Sequence, residues 1–230
     1  MTFQELKEIS LAWAHNDLGH FTSKVERAKK IIETGLKFDG KKYAAFSGGK
    51  DSTAMLHLVL SLDPDCMVFH YDYKDEDRSD GSVYMPEEYQ AEIIENMKKI
   101  GAKNIKIESG HDWYKVFFGK IAPALYRDGY RVSFVGLRKE ESSNRRQRIK
   151  ANRSLTNIKE FWPLQDWSWR DVWAYIFFHD LPVHSAYKKY GELIGWDKVR
   201  FVTFFDAEMD KFGSSNLDGM LLWRFRNKRR

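Results

Sequence analysis

Six consecutive residues, Ser47-Gly48-Gly49-Lys50-Asp51-Ser52, place two glycines, two hydroxyls, an ammonium and a carboxylate in one short turn. Adjacent glycines let a backbone bend without a Cβ and bring bare amides close to an anion. Ser47 and Ser52 add hydroxyl donors and Lys50 adds a positive charge, so the chemistry suggested is phosphate binding. Asp51 has two readings, a metal or water ligand and a carboxylate that merely complements a helix amino terminus. The spacing excludes a Walker A loop, which needs Gly, four residues, then Gly-Lys-Ser/Thr. Position 44 is Ala, and Asp51 rather than a hydroxyl residue follows Lys50. An ordinary glycine turn capped by serines is the bland alternative, and the setting of the six residues argues against it.

That setting is a strand before and a helix after. Tyr43-Ala-Ala-Phe46 reads as a short apolar strand, and Met55, Leu58, Val59 and Leu62 recur at helical spacing behind the turn. A helix starting there points its positive end at the same anion. Further strands are expected at Met67–Tyr71, Asn104–Glu108 and Arg131–Val135, with helices over Pro86–Ile100 and His111–Tyr126. Thr2-Phe-Gln-Glu5 and Ser23-Lys-Val-Glu26 both look like capping boxes and predict helices to Asn16 and to Thr34. After Gly136 the alternation fades into an Arg-rich stretch, Arg138–Arg153, then resumes with a Ser168-capped helix to His179 and another from Ser185. Strands alternating with helices predict an α/β fold, a Rossmann-like, mostly parallel sheet with helices on both faces and helical additions at either end. The expected division is a helical segment over 1–40, a nucleotide-binding core over 41–165 and a helical extension with a basic tail over 166–230.

Three more strings belong with the loop: Gly136-Leu-Arg138-Lys-Glu-Glu141-Ser142-Ser-Asn-Arg145, the Trp-rich run Trp162 to Trp173, and Leu181-Pro-Val-His184-Ser-Ala-Tyr187. On these residues the chain resembles the PP-loop superfamily of ATP pyrophosphatases (adenine nucleotide alpha hydrolase-like) and, within it, the phosphoadenosine phosphosulfate (PAPS) reductase family. The resemblance covers about residues 40 to 195. It implies that Phe46 and Ser47 to Ser52 grip the phosphate end of an adenosine nucleotide, ATP or PAPS. It places His70, Tyr71 and Asp72 beside the adenosine, and brings Arg138 and Arg145 to the phosphates on a loop started by Gly136 and fixed by Glu141 and Ser142. Lys50, Asp51, Arg138 and Arg145 are then the catalytic candidates, with Mg²⁺ as cofactor and Asp51 as its ligand. The implied reaction is attack of an acceptor on the α-phosphorus with pyrophosphate leaving into the loop, its charge offset electrostatically.

The departures from that family are equally informative. A PAPS reductase is expected to use a cysteine near its carboxyl end, and some relatives carry paired cysteines for an iron-sulfur cluster. This sequence has one cysteine, Cys66, and reads Ile194-Gly195-Trp196 where relatives read Ile-Gly-Cys. A single thiol forms no internal disulfide, CxxC pair or iron-sulfur site, and the seven histidines show no zinc spacing. The expected function is therefore an enzyme that activates an acceptor at the α phosphate, for sulfur transfer or nucleic-acid modification. It is not a thiol-dependent PAPS reductase on its own. The rival reading is a nucleotide-sensing nucleic-acid-binding or regulatory protein without turnover.

Composition and charge set the outer limits. The 230 residues are 43% hydrophobic, 31% charged and 15% aromatic, a globular balance with an aromatic excess that leaves room for a homo-oligomer interface. No apolar run approaches the ~20 residues of a membrane span, and Met1–Glu8 lacks an apolar signal core, so a cytoplasmic protein without membrane contact is expected. The tail holds Arg224, Arg226, Lys228, Arg229 and Arg230; removing these five from 38 basic residues leaves 33, equal to the 33 acidic ones. A frayed solvated end competes there with contact to nucleic acid or a partner protein. Arg146, Arg148 and Arg153 pose the same choice. Asp72, Asp75, Glu76, Asp77 and Asp80 offer hard oxygen ligands without the spacing of a calcium loop, and a solvated loop is the plainer reading. Trp162, Trp167, Trp169 and Trp173 suit a core better than a base-stacking surface.

Overall fold

The computed structural model describes residues 1–72, 87–110, 113–197 and 199. Helix α1 (Phe3–Asn16) opens on the expected capping box: the Thr2 hydroxyl accepts from the Glu5 amide at 3.2 Å and the Glu5 carboxylate accepts from the Thr2 amide at 2.8 Å. Helix α2 (Leu18–Leu36) begins earlier than the Ser23 signal suggests. Asp17 supplies the cap instead, accepting from the His20 amide at 3.2 Å, and the buried stripe Phe21, Ala28, Ile32 carries the helix straight through Ser23.

The remaining elements follow in the order β1 (Lys41–Ala45), α3 (Lys50–Leu62), β2 (Met67–Asp72), α4 (Glu87–Ile100) and β3 (Ile105–Ser109). Next come α5 (Trp113–Val116), a π-helical turn over Phe117–Ile121, α6 (Ala122–Arg127) and β4 (Tyr130–Phe134). The chain closes with α7 (Ser143–Lys150), β5 (Lys159–Phe161), α8 (Trp169–Phe178) and α9 (Ser185–Ile194). Pro123 falls at the start of α6, directly after the π-helical turn, and the helical run from Trp113 to Arg127 continues through it. Helix α7 and strand β5 lie in the stretch where the alternation had faded.

The five strands form one sheet in the order β3-β2-β1-β4-β5, and every neighbouring pair is parallel. Parallel strands require crossovers, so helices cover the sheet on both sides. On one face α2 approaches so closely that a Cβ on Gly35 would lie 2.6 Å from the Phe134 ring. On the other, Phe69 packs on Phe117 of the π-helical turn at 5.8 Å between ring centroids. Strand β2 is buried along its whole length, as a central parallel strand must be. Four tryptophans, Trp162, Trp167, Trp173 and Trp196, are buried, and Trp173 meets Phe177, Tyr187 and Trp196; Trp169 is only partly buried. Among the described residues no helix is long and apolar enough to cross a membrane.

The strand order fixes where a ligand can enter. After β3 the chain returns across the sheet to place β4 on the other side of β1, so β1 and β4 flank the switch point. In open α/β sheets the crevice outside the carboxyl ends at such a point is the place a ligand binds. The turn Ser47–Ser52 follows β1, and Gly136–Glu141 follows β4.

Candidate nucleotide site

The last rung between β1 and β2 is the Phe46 amide donating to the Phe69 carbonyl at 2.8 Å. The chain then turns through Gly48 at φ +81°, a conformation suited to glycine, and a Cβ there would lie 2.6 Å from Ile93 Cγ1. Gly49 is the N-cap of α3 and supplies no side-chain cap. The loop's hydroxyls satisfy part of its own backbone. Ser52 Oγ donates to the Gly49 carbonyl at 2.8 Å and accepts from the Ser47 amide at 3.3 Å and from Ser47 Oγ at 3.1 Å. The Lys50 amide donates to the Tyr187 hydroxyl at 2.9 Å. The buried Gly48 amide has no acceptor among the described residues.

The Gly136 loop is docked against this turn by backbone contact. A Cβ on Gly136 would lie 2.9 Å from both the carbonyl carbon and oxygen of Asp51 and 3.0 Å from the Ser52 amide nitrogen, so any side chain would force the two loops apart. Arg138, 1% exposed, donates from Nε to Asp51 Oδ1 at 2.5 Å and from Nη1 to Glu140 Oε2 at 2.7 Å. Burial alone would lower its pKa; the carboxylates of Asp51, Glu141 and Glu140 outweigh that and raise it, so the guanidinium stays charged. Glu141 accepts from the Arg138 amide at 2.9 Å and pairs with Arg145. Ser142 is the N-cap of α7, accepting from the Arg145 amide at 3.2 Å.

The structure thus brings Ser47–Ser52, Gly136, Arg138, Glu141, Ser142 and Arg145 together beyond the carboxyl ends of β1 and β4, yet it aims their charges differently from the sequence expectation. There, Lys50, Arg138 and Arg145 all face a phosphate chain. In the structure each cation holds a carboxylate. Lys50 is buried, and its ammonium donates to the Val199 carbonyl at 2.9 Å and meets Asp51 Oδ2 at 3.3 Å. A cation drawn to a carboxylate and a carbonyl in a low-dielectric pocket neutralises its neighbours first. Asp51 consequently has both oxygens in ion pairs. With both oxygens held by cations, Asp51 as placed offers no oxygen free of a cation to Mg²⁺, and no group of three or more His, Cys, Asp or Glu side chains suited to a metal occurs among the described residues.

At the end of β2, His70 is buried with Nδ1 2.8 Å from the Phe46 carbonyl and Nε2 2.6 Å from Gln90 Nε2. Both contacts are satisfied when Nδ1–H donates and Nε2 accepts, the neutral tautomer, and desolvation lowers the His70 pKa in the same sense. Tyr71 is buried and donates its hydroxyl to the Gly110 carbonyl at 3.0 Å; Asp72 is buried as well. Asp75, Glu76, Asp77, Asp80 and the basic tail Arg224–Arg230 lie outside the described residues.

Four contributors went unassigned from sequence. Tyr187 stands in the Leu181–Tyr187 string, but its contact with Lys50 spans 137 positions. Val199 and Gln90 carried no motif, and Glu140 stands in the Gly136–Arg145 string without a role having been assigned to it. Glu140 is the least obvious, since its Oε2 also accepts from the Trp169 amide at 2.7 Å and so ties Arg138 to the start of α8.

An all-parallel sheet with a glycine turn after β1, at its switch point, defines a doubly wound α/β fold. The family model for the phosphoadenosine phosphosulfate reductase domain matches residues 41–199, and the chain belongs to that family. It is 28% identical over 183 residues to a phosphoadenosine 5'-phosphosulfate reductase of Alkalilimnicola ehrlichii, covering 70% of this chain and 71% of that protein. It is 22% identical over 236 residues to an adenosine 5'-phosphosulfate reductase of Bacillus cytotoxicus, covering 94% of this chain and 92% of that one. An uncharacterized protein of Methanocaldococcus jannaschii is 26% identical over 233 residues, and this chain spans only 44% of its length.

Proposed function

We propose that the chain binds an adenosine nucleotide, ATP or PAPS, with its phosphate end on Ser47–Ser52, and that it cleaves or transfers at the α phosphate to activate an acceptor for sulfur transfer or nucleic-acid modification. The observation that carries this reading is the buried Gly48 amide at the amino end of α3, on the switch-point side of the sheet, which has no acceptor among the described residues. A helix start of this kind attracts an anion through both its free N–H and its dipole. In the ATP reaction an acceptor oxygen forms a bond to the α-phosphorus, the bond from that phosphorus to the bridging oxygen breaks, and pyrophosphate departs. Arg138, kept charged by three carboxylates, and Lys50 offset the developing negative charge once the nucleotide competes for them.

Reduction by this chain's own thiol is not part of the proposal. Cys66 is buried at the opposite end of β2 from the loop, three residues or about 10 Å of strand below Phe69. Desolvation pushes its thiol up to about 12, so it offers little thiolate at neutral pH. The test is pyrophosphate release from ATP, and separately turnover of PAPS, by the full chain. Lys50→Ala and Arg138→Ala are expected to abolish release while leaving the circular dichroism spectrum folded. Unchanged release in both folded variants would discard the reading.

A further inference from the structure

Outside the nucleotide site, the strongest charge asymmetry among the described residues is on α7. Its eight residues, Ser143-Asn-Arg-Arg-Gln-Arg-Ile-Lys150, include four cations and no acid. The structure divides the basic residues of this region into two sets. Arg145 and Arg148 are half-buried and committed, to Glu141 and to Glu160, and Glu160 is itself fixed by the Trp162 indole N–H at 3.0 Å and the Leu155 amide at 2.9 Å. Arg146, Lys150 and Arg153 are exposed, and among the described residues none of them has a carboxylate within ion-pair distance. Ile149 is the one buried residue of α7 and turns inward.

Folding accounts for only part of this arrangement: Arg148 and Lys150 lie in the last turn, where a cation complements the helix dipole, but Arg146 does not. Like charges at i and i+4, as at Arg146 and Lys150, destabilise a helix, and a cation in the opening turns opposes the dipole. The guanidiniums of Arg145 and Arg153 also lower the pKa of Arg148, after the larger effect of its desolvation, so the cations are close enough to repel. The rest of the exposed surface is Ser143, Asn144 and Gln147, neutral hydrogen-bonding side chains. The helix begins at Ser142, directly after the loop that carries Arg138 and Glu141.

We infer that the exposed face of α7, formed by Arg146, Lys150 and the adjoining Arg153, docks the sugar-phosphate backbone of a nucleic acid. Its complement must be a repeating anion, because a row of cations and neutral donors without a carboxylate fits successive phosphates and carries no base-reading geometry. The inference deepens the proposed function by naming the acceptor class, and it rests on that reading only for the word acceptor.

The experiment is a salt titration of binding by the full chain to a labelled single-stranded RNA of about 20 nucleotides, the DNA of the same sequence, and its duplex, from about 50 to 200 mM salt. The variant Arg146→Gln/Lys150→Gln/Arg153→Gln is compared with Lys37→Gln/Lys98→Gln/Lys103→Gln, which removes the same charge from exposed positions on other elements. Three phosphates held by the α7 set predict that the first variant flattens the log–log salt slope by roughly 2 for single strands or about 2.7 for duplex, and that affinity falls at least about tenfold at low salt. The second variant is expected to change neither. A preference for RNA or for DNA identifies the acceptor within the same inference. Equal effects of the two variants, no binding at all, or competition by polyglutamate as strong as by unlabelled RNA would overturn it. Pyrophosphate release from ATP in the same samples keeps the two ideas apart. Intact release without nucleic-acid binding removes the docking face alone, and binding without release removes the chemistry alone.

Discussion

Helices α3 and α8 begin in similar ways and end up with opposite properties. Each has an aspartate in its first turn, and each aspartate is paired with a cation from a distant element, Asp51 with Arg138 and Asp171 with Lys24 at 2.5 Å in both cases. At α8 the start supplies its own acceptors: Ser168 and Asp171 form a reciprocal capping box, and the Asp171 carboxylate also takes the Lys24 ammonium and the Trp13 indole N–H at 3.4 Å. At α3 the cap is a glycine without a side-chain bond, and the amide before it has no acceptor among the described residues. A helix start built for stability supplies its own acceptors, whereas one built for an anion leaves donors to be filled from outside.

Breaking the closed start has the largest expected effect. Asp171→Ala removes a fully buried carboxylate, strands Lys24 and deletes half of the capping box, and should cost about 3 kcal/mol. Urea unfolding measures that cost, and the nucleotide affinity of the folded fraction should not change. A loss of affinity equal to that of a loop variant would erase the distinction between the two helix starts.

Gly48→Val strikes the open start. The left-handed φ and the contact with Ile93 disfavour a branched side chain by about 1–3 kcal/mol, less than the Asp171 change. Its effect on function is the reverse, since nucleotide affinity should fall at least about tenfold when the turn can no longer present its amide. Isothermal titration with ATP reads this directly, and affinity held at the parental value would argue that the phosphates bind elsewhere.

The comparison also explains what a sequence can disclose. Ser47–Ser52 was legible because glycine and hydroxyl chemistry is local, and Thr2/Glu5 and Ser168 were legible because caps are read within four residues. Strand β5 was not. Three residues, Lys159-Glu-Phe161, pair only with β4, and its buried residue is a glutamate held by Arg148 and Trp162, so no apolar period marks it. Helix α7 was hidden for a related reason, since a single buried Ile149 leaves no amphipathic stripe to detect. Lys50 pairs with its neighbour Asp51 and Arg138 with Glu140, but their remaining partners were out of reach. Tyr187, Val199 and Asp51 meet them across 87 or more positions, and which carboxylate a buried cation chooses is decided by packing.

The two starts should also separate on a pH axis. His70 underlies the open one, accepting from Gln90 while donating to Phe46, and burial lowers its pKa. The folded state therefore resists a proton that the unfolded chain accepts below pH about 6.5, and stability should decline as pH falls through that point, with a limiting slope near 1.4 kcal/mol per pH unit for one such group. Asp171 has a lowered pKa because the Lys24 and Ser168 hydrogen bonds outweigh desolvation, so its stabilisation is complete above the ordinary carboxylate pKa and lost only in more acid solution. Unfolding free energies between pH about 7 and 5 should thus lose slope in His70→Gln and keep it in Asp171→Asn. The opposite assignment would place the acid-sensitive step at α8.

The smallest expected effects give the sharpest contrast, because they compare one hydroxyl with another. Ser168→Ala removes an N-cap and Ser52→Ala removes a bridge between Gly49, Ser47 Oγ and the Ser47 amide; each should cost about 1 kcal/mol of stability. Equal costs in stability make the functional difference clean. Without the Ser52 hydroxyl the Ser47 amide and side chain lose the acceptor that holds them, and a turn that must present its donors in one geometry loses part of its advantage for an anion. Ser52→Ala should therefore weaken ATP binding severalfold, while Ser168→Ala leaves it at the parental value. Parallel losses in the two variants would mean that the loop contributes to ATP binding only through overall stability.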